Sequence, residues 1–334
     1  MGVLNRRRTA LVTGGAGFVG SHLCERLLAR GWRVVCLDNL STGSARNIEH
    51  LTVVPEFRFV EADVTEPLEL GERTDLVFHL ASPASPRDYL RLPLETLRAG
   101  SLGTEHALRL ATACDARLVL ASTSEVYGDP EVHPQPESYP GRVNPVGPRS
   151  VYDEAKRYAE AITAAYRREF GTRTAIARIF NTYGPRMRAD DGRLVPTFIT
   201  QALRDRPFTV NGNGTQTRSL CYVDDTADGL IALALSDAHG PVNLGNPDER
   251  SVLEIAELIA ALAGVDLRVD FRPELQDDPR QRCPDVRTAR GLLRWEPVVS
   301  VEEGLGRTLE WFREEASAGA RDVSVPVGGR PAGR

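Results

Sequence analysis

Tyr152 and Lys156 stand four residues apart in a stretch with helical patterning, so their side chains share one face. An unperturbed phenol titrates near pH ~10. A neighbouring ammonium favours the phenolate and brings it toward use as a base. Lys156 is the single lysine in a chain with 41 Lys and Arg. Arginine can fill any surface role, but it is wider, planar and always charged. A chain that has otherwise lost lysine has a chemical use for the one it keeps, with chance as the alternative. Tyr-x-x-x-Lys recurs often by accident, so the pair needs company. That company is the run Ser122-Thr123-Ser124-Glu125-Val126-Tyr127-Gly128, which ends an apolar segment. The Thr123 hydroxyl can hydrogen-bond a substrate oxygen that loses or gains a proton. Glu125 puts a carboxylate in the same turn; a solvated turn acid is the plainer reading.

A second group of residues could hold a phosphate. Gly14, Gly17 and Gly20 form G-x-x-G-x-x-G between the apolar run Thr9-Ala10-Leu11-Val12 and a helical stretch from Ser21 to Arg30. Glycines let the backbone turn tightly and approach a pyrophosphate, whose charge then sits at a helix N-terminus. A glycine-rich turn without ligand is the alternative. Asp38 ends the next apolar run, 18 residues past Gly20, where a carboxylate would accept from adenosine ribose hydroxyls. Asn39 follows it, so a 2′-phosphate would meet negative charge and no arginine. NAD is favoured over NADP. Asp63-Val64, after the third apolar run, would reach the adenine, though spacing alone allows a surface acid there.

These residues need a scaffold. Apolar runs at Arg33–Leu37, Phe57–Val60, Leu76–Leu80, Leu118–Ala121 and Ala175–Phe180 read as further strands. Helical stretches lie near 93–113 and 151–170. Strands alternating with helices predict an α/β fold, a Rossmann-type parallel sheet wound on both faces. After Phe180 the loops lengthen and fill with Gly, Pro, Asn and Asp. A helix with a capping box, Ser251 and Glu254, ends at Gly264. The expected organisation is an NAD-binding domain over 1–180 and a smaller substrate domain over 181–316, some of whose segments return to the first. A disordered tail is expected over 317–334.

The chain has 334 residues, enough for more than one core. Its net charge of -5 makes it a poor nucleic-acid binder and favours small-molecule partners. Five dispersed cysteines, with no metal-like spacing, read as reduced thiols of a cytoplasmic protein, and no metal site is expected. No apolar run is long enough to span a membrane. Four glycines between 14 and 20 interrupt the apolar start and exclude a signal peptide.

The glycine loop, Thr123 and Tyr152-x-x-x-Lys156 together resemble the extended short-chain dehydrogenase/reductases. Within them the chain closely resembles the UDP-glucuronate decarboxylases. The matching stretches include TGGAGFVGSHL (13–23), HLASPASP (79–86), LASTSEVYGDPEVHPQ (120–135), YDEAKR (152–157), ARIFNTYGPRM (177–187) and PVNLGNP (241–247). The resemblance implies decarboxylation of a UDP-linked glucuronate to UDP-xylose through a 4-keto sugar, with no net redox change. It implies Tyr152 as base and acid at the C4 hydroxyl, helped by Lys156 and Thr123, and Glu125 and Arg282 beside the substrate carboxylate and the C5 protonation step. It implies Asn181, Arg193 and Arg218 at the diphosphate, and Phe18, Val19, Thr42, Gly43, Leu80 and Ser82 beside NAD. It further implies a homodimer through the helices of 93–113 and 151–170. Rival readings are a nucleotide-sugar 4,6-dehydratase, which usually has Asp-Glu where this chain has Ser124-Glu125, a 4-epimerase, and a non-catalytic NAD-binding sensor. The chain departs from the family at Ala99-Gly100, typically Thr-Asn, which bears on NAD affinity, and at Cys283, often lysine. Membrane-anchored relatives carry an N-terminal extension that this sequence lacks, which implies a soluble form.

Overall fold

The computed structural model describes residues 7–274 and 280–322. Seven strands form one sheet: β1 (Thr9–Thr13), β2 (Arg33–Asp38), β3 (Phe57–Glu61), β4 (Leu76–His79), β5 (Arg117–Thr123), β6 (Thr174–Ile179) and, from the second half of the chain, Pro241–Leu244. All pair in parallel, in the order Pro241–Leu244, β6, β5, β4, β1, β2, β3. The chain leaves β1 toward β2 on one side and reaches β4 on the other. A crevice therefore opens at the C-terminal ends of β1 and β4, the usual place for a dinucleotide.

The sheet is covered on both faces, which is why its central strands are apolar throughout: β1 and β5 are buried at every residue. Successive residues part to opposite cores. Ala10 and Val12 join Leu23 and Leu27 of α1 (Phe18–Ala29), while Leu11 joins Leu108 and Ala111 on the other side. The expected helix over 93–113 is preceded by a short α2 (Pro86–Arg91) and is itself broken into α3 (Pro93–Arg98), a π turn at Ala99–Gly103 and α4 (Thr104–Cys114). The 151–170 helix is present as α5 (Ser150–Phe170).

The second half builds its own core between α6 (Leu194–Leu203), a helix at Val252–Ala263 and a terminal helix at Val301–Asp322. Three short ladders join it: β7 (Thr182–Tyr183) with Cys221–Tyr222, β8 (Phe208–Asn211) with Val269–Arg272, and β9 (Thr217–Ser219) with Glu249–Ser251. Ser251 and Glu254 make the expected capping box. The division at 180 is not clean, because Pro241–Leu244 completes the first sheet and the helix Val223–Leu235 packs on α1. One expectation is corrected here. The tail read from 317 is helical to Asp322, continuing a helix whose Leu305, Leu309 and Phe312 are buried; residues 323–334 lie outside the described residues.

Candidate active site

One cavity of about 960 Å³ runs along the C-terminal ends of the strands and under the second core. Every candidate residue named from the sequence lines it, from Gly14 and Asp38 at one end to Arg218 and Arg282 at the other. Residues nearly 270 positions apart meet there because the sheet delivers its strand ends to one edge and the smaller core folds over that edge.

The dinucleotide end is set by close backbone packing. Gly14 holds φ +70°, and a Cβ on Gly20 would stand 2.1 Å from the Gly14 carbonyl oxygen. The loop is thereby pressed onto the first turn of α1. Gly17 caps that helix with no side-chain bond, which leaves its first amides for an anion. Asp38, at the end of β2, accepts from the Ala16 amide at 3.0 Å and the Leu40 amide at 2.8 Å. Burial nevertheless raises its pKa, with those amides pulling the other way. A Cβ on Gly43 would come within 3.0 Å of both Asp38 carboxylate oxygens, so glycine there keeps the carboxylate approachable. Asn39 donates to Asp63 at 2.9 Å and ties the rim beside Val64. A carboxylate for ribose, free helix amides for pyrophosphate and an ammonium at the far end are the donor and acceptor set that NAD needs.

That ammonium is Lys156. Its Nζ donates to the Ala121 carbonyl at 2.8 Å and sits 5.8 Å from the Tyr152 ring centroid. Burial lowers its pKa to about 8. Tyr152 is also buried. The lowering expected from Lys156 is not found: burial and then the charge of Glu125 push the phenol above the ordinary range, against a hydrogen bond with Thr123. Tyr89, from α2, stacks on the Tyr152 ring at 5.1 Å and 11° between planes, and fixes its orientation. Behind Lys156, His79 is kept neutral by burial, with Lys156 adding to the effect; its pKa falls to about 3. His79 bonds Thr13 through Nδ1 at 2.9 Å and Thr104 through Nε2 at 3.2 Å, locking β4 to β1 and α4.

Glu125 is clamped between two arginines. Arg282 reaches its carboxylate at 2.5 and 2.8 Å, and Arg149 at 2.7 Å. Burial alone would raise this carboxyl, but the two guanidiniums overcome it and hold its pKa down to about 2. Glu125 is therefore ionised, and the three groups sum to one positive charge. Asp153 lies behind them, pushed up to about 7 by burial and then by Glu125. At the far end Arg193 forks onto Asp191 and lies over the Phe18 ring, and Arg218 donates to the Thr217 carbonyl at 2.7 Å. Asn181 lines the same wall. Sequence reasoning did not single out Arg149, Tyr89, Asp153 or His79. Arg149 precedes Tyr152 by three residues, one helical turn, and that spacing was its only signal.

A doubly wound sheet with a glycine loop, an acid after β2 and a Tyr-Lys pair beside a strand-end threonine defines an NAD-dependent enzyme of nucleotide-sugar type. The chain belongs to the NAD dependent epimerase/dehydratase family, whose model matches residues 10–245. It is 51% identical over 320 residues to UDP-glucuronic acid decarboxylase 1 of Xenopus tropicalis, covering 96% of this chain and 76% of that one. It is 48% identical to UDP-glucuronic acid decarboxylase 1 of Arabidopsis thaliana, over 94% and 72% of the two chains. Among solved structures, the UDP-glucuronic acid 4-epimerase of Bacillus cereus, in complex with UDP-glucuronic acid and NAD, superposes with a TM-score of 0.84 at 28% identity, over 92% of this chain and 99% of that one. An epimerase from Methanothermobacter thermautotrophicus gives 0.87 at 30% identity, over 94% and 95%.

Proposed function

We propose that the chain decarboxylates UDP-glucuronate to UDP-xylose, with NAD held as a recycled cofactor. The observation that carries this is the Arg149–Glu125–Arg282 clamp. Its single net positive charge lies in the same cavity as Tyr152 and Thr123 and matches one substrate carboxylate. A neutral hydroxymethyl group at that carbon would leave the charge unmatched in a buried site.

The residues divide the work by position. Gly14, Gly17, Asp38 and Lys156 hold NAD, with Asn39, Asp63 and Val64 around its adenine end. The chemistry NAD supplies when bound is reversible oxidation at the sugar C4. Tyr152 takes the C4 hydroxyl proton and later returns it, oriented by Tyr89 and hydrogen-bonded by Thr123. The 4-keto sugar so formed is a β-keto acid. As CO₂ leaves, the electron pair spreads onto the C4 oxygen, where Tyr152 and Thr123 stabilise it. Glu125, ionised at neutral pH, has no proton to give to C5, so the proton that takes the place of CO₂ there comes from water, and reversal of the C4 oxidation completes the turnover. Glu125 keeps the arginines in place. Arg193, Arg218 and Asn181 face the diphosphate.

We further place the protein in the cytoplasm, because all five cysteines are free, and read it as a homodimer through the helices of 93–113 and 151–170. Among the described residues, no helix is long and apolar enough to cross a membrane.

The test is incubation with UDP-glucuronate and NAD, followed by mass spectrometry of the nucleotide sugar. Loss of one CO₂ without net NADH, and a fall of about 10²–10⁴-fold in Tyr152→Phe, is the expected result. An unchanged mass with inverted C4 would make the chain a 4-epimerase. No turnover of any nucleotide sugar would make it a sensor.

A further inference from the structure

Arg218 and Arg282 both reach the cavity, and the side chains next to them in sequence point elsewhere. Cys283 follows Arg282 and is 4% exposed. Glu249 lies across the β9 ladder, opposite Ser219. His133 comes from the loop between β5 and α5, and its Nε2 is 3.0 Å from a Glu249 carboxylate oxygen. The imidazole nitrogen, a carboxylate oxygen and the Cys283 Sγ all lie within 4.8 Å of one another. None of the three lines the cavity.

We propose that His133, Glu249 and Cys283 form a binding site for one thiophilic divalent cation of the zinc class. One nitrogen, one oxygen and one sulfur donor suit Zn²⁺, which takes such mixed sets tetrahedrally. A thiol argues against magnesium and calcium, which require oxygen donors. Tetrahedral bonds of about 2.0–2.3 Å bring ligand atoms to about 3.5 Å apart. The His133–Glu249 pair is already closer than that, and the Cys283 Sγ lies within 4.8 Å of both. Three protein ligands leave a fourth position for water, and His133, the exposed member, opens the way in.

The surroundings are fixed as a metal site needs. The second Glu249 oxygen accepts from the Thr217 hydroxyl. The Cys283 amide donates to the Gln135 side chain at 2.8 Å, and the Gln135 amide donates to the Cys283 carbonyl at 2.9 Å. On binding, the thiol releases its proton to solvent and bonds as thiolate. The ion would join three distant segments, one of which presents Arg282 to the cavity while a second pairs with the strand that carries Arg218. Metal occupancy would thereby brace the Arg282 contact with Glu125 from behind.

The experiment uses the full-length protein, stripped with a chelator and titrated with Co²⁺, then Zn²⁺. One equivalent of Co²⁺ should bind with a thiolate-to-cobalt charge-transfer band, and Zn²⁺ should displace it. Cys283→Ser should abolish the band, and His133→Ala, at an exposed position, should weaken binding at least ten-fold. NAD binding, which involves none of these residues, checks that each variant is folded. Absence of the band, or a band that survives in Cys283→Ser, overturns the proposal. If Cys283→Ser does not fold, unchanged affinity in His133→Ala overturns it as well.

Discussion

Lys156 is buried, and its ammonium donates to the Ala121 carbonyl. Its pKa of about 8 lies below the 10.5 of an unperturbed lysine. The folded state therefore binds fewer protons than the unfolded one between those values, and this residue makes stability rise with pH across that window. Because it is the single lysine, lysine labelled with ¹³C at the ε carbon gives one resonance. Its titration midpoint without NAD should fall near 8; a midpoint above 10 would mean that burial is not felt. Glu125 has the same sign of slope in an acid window, but there the charged form is the stabilised one. Its folded pKa is depressed, so its contribution is full above about 4.5 and is lost as pH falls toward about 2. Glu125→Ala leaves Arg149 and Arg282 without their shared counter-ion and should cost about 3–5 kcal/mol. Urea unfolding should show the loss at pH 7 and a flatter acid dependence in the variant. An unchanged midpoint would mean that the clamp contributes little.

At the scale of elements, the junction of α3 and α4 explains a departure that the sequence left ambiguous. Ala99-Gly100 suggested lost side-chain contacts to the cofactor. Ala99 does line the cavity, but Gly100 faces α5: a Cβ there would stand 2.7 Å from the Ala155 Cβ and 3.0 Å from the Ala155 carbonyl oxygen. Glycine lets the π turn pack on the helix that carries Tyr152 and Lys156, and Thr104 bonds the Gly100 carbonyl at 2.9 Å. Gly100→Ala should therefore destabilise by about 1–3 kcal/mol through overpacking. Ala155→Gly should recover part of that loss in a double-mutant cycle, read by thermal melts. Additive losses would show that the two positions do not press on each other. The same junction marks where the sequence stops being legible. The strands β1 to β6 and the helices α1 and α5 follow from apolar periodicity, because a buried face repeats with the element. A π turn inserts within an unbroken helical pattern and leaves no periodic trace. The terminal helix was readable in Leu305, Leu309 and Phe312, but the Gly and Ala after it resemble a tail. In the site, the glycine loop, Asp38, Thr123 and the Tyr-Lys pair are local motifs. Arg149, Tyr89 and the His133–Glu249–Cys283 cluster exist only through tertiary contact.

At the scale of the whole molecule, α5 has two faces with different fates. Tyr152, Ala155, Lys156, Ala159 and Thr163 turn inward, one helical turn after another. Tyr158 turns out and is 48% exposed, while Leu94 and Leu97 of α3 and Leu102 of the π turn are 59%, 37% and 45% exposed. These elements pack against each other, so one chain leaves a group of large apolar side chains in water along the helices that support the site. At roughly 25 cal/mol per Å² of apolar surface, covering such a group favours association, and two-fold pairing lets one patch cover its own copy. The homodimer reading thus predicts a solution mass of twice 36.6 kDa by light scattering. Placing a charge in the patch with Leu94→Glu and Leu97→Glu together should yield monomers, because each charge would have to be buried without a partner. Neither side chain lines the cavity, so NAD binding should persist in the variant and show that the loss is of assembly and not of fold. A wild-type chain that stays monomeric at high concentration would defeat the reading. A dimer that survives both charges would place its interface on another surface.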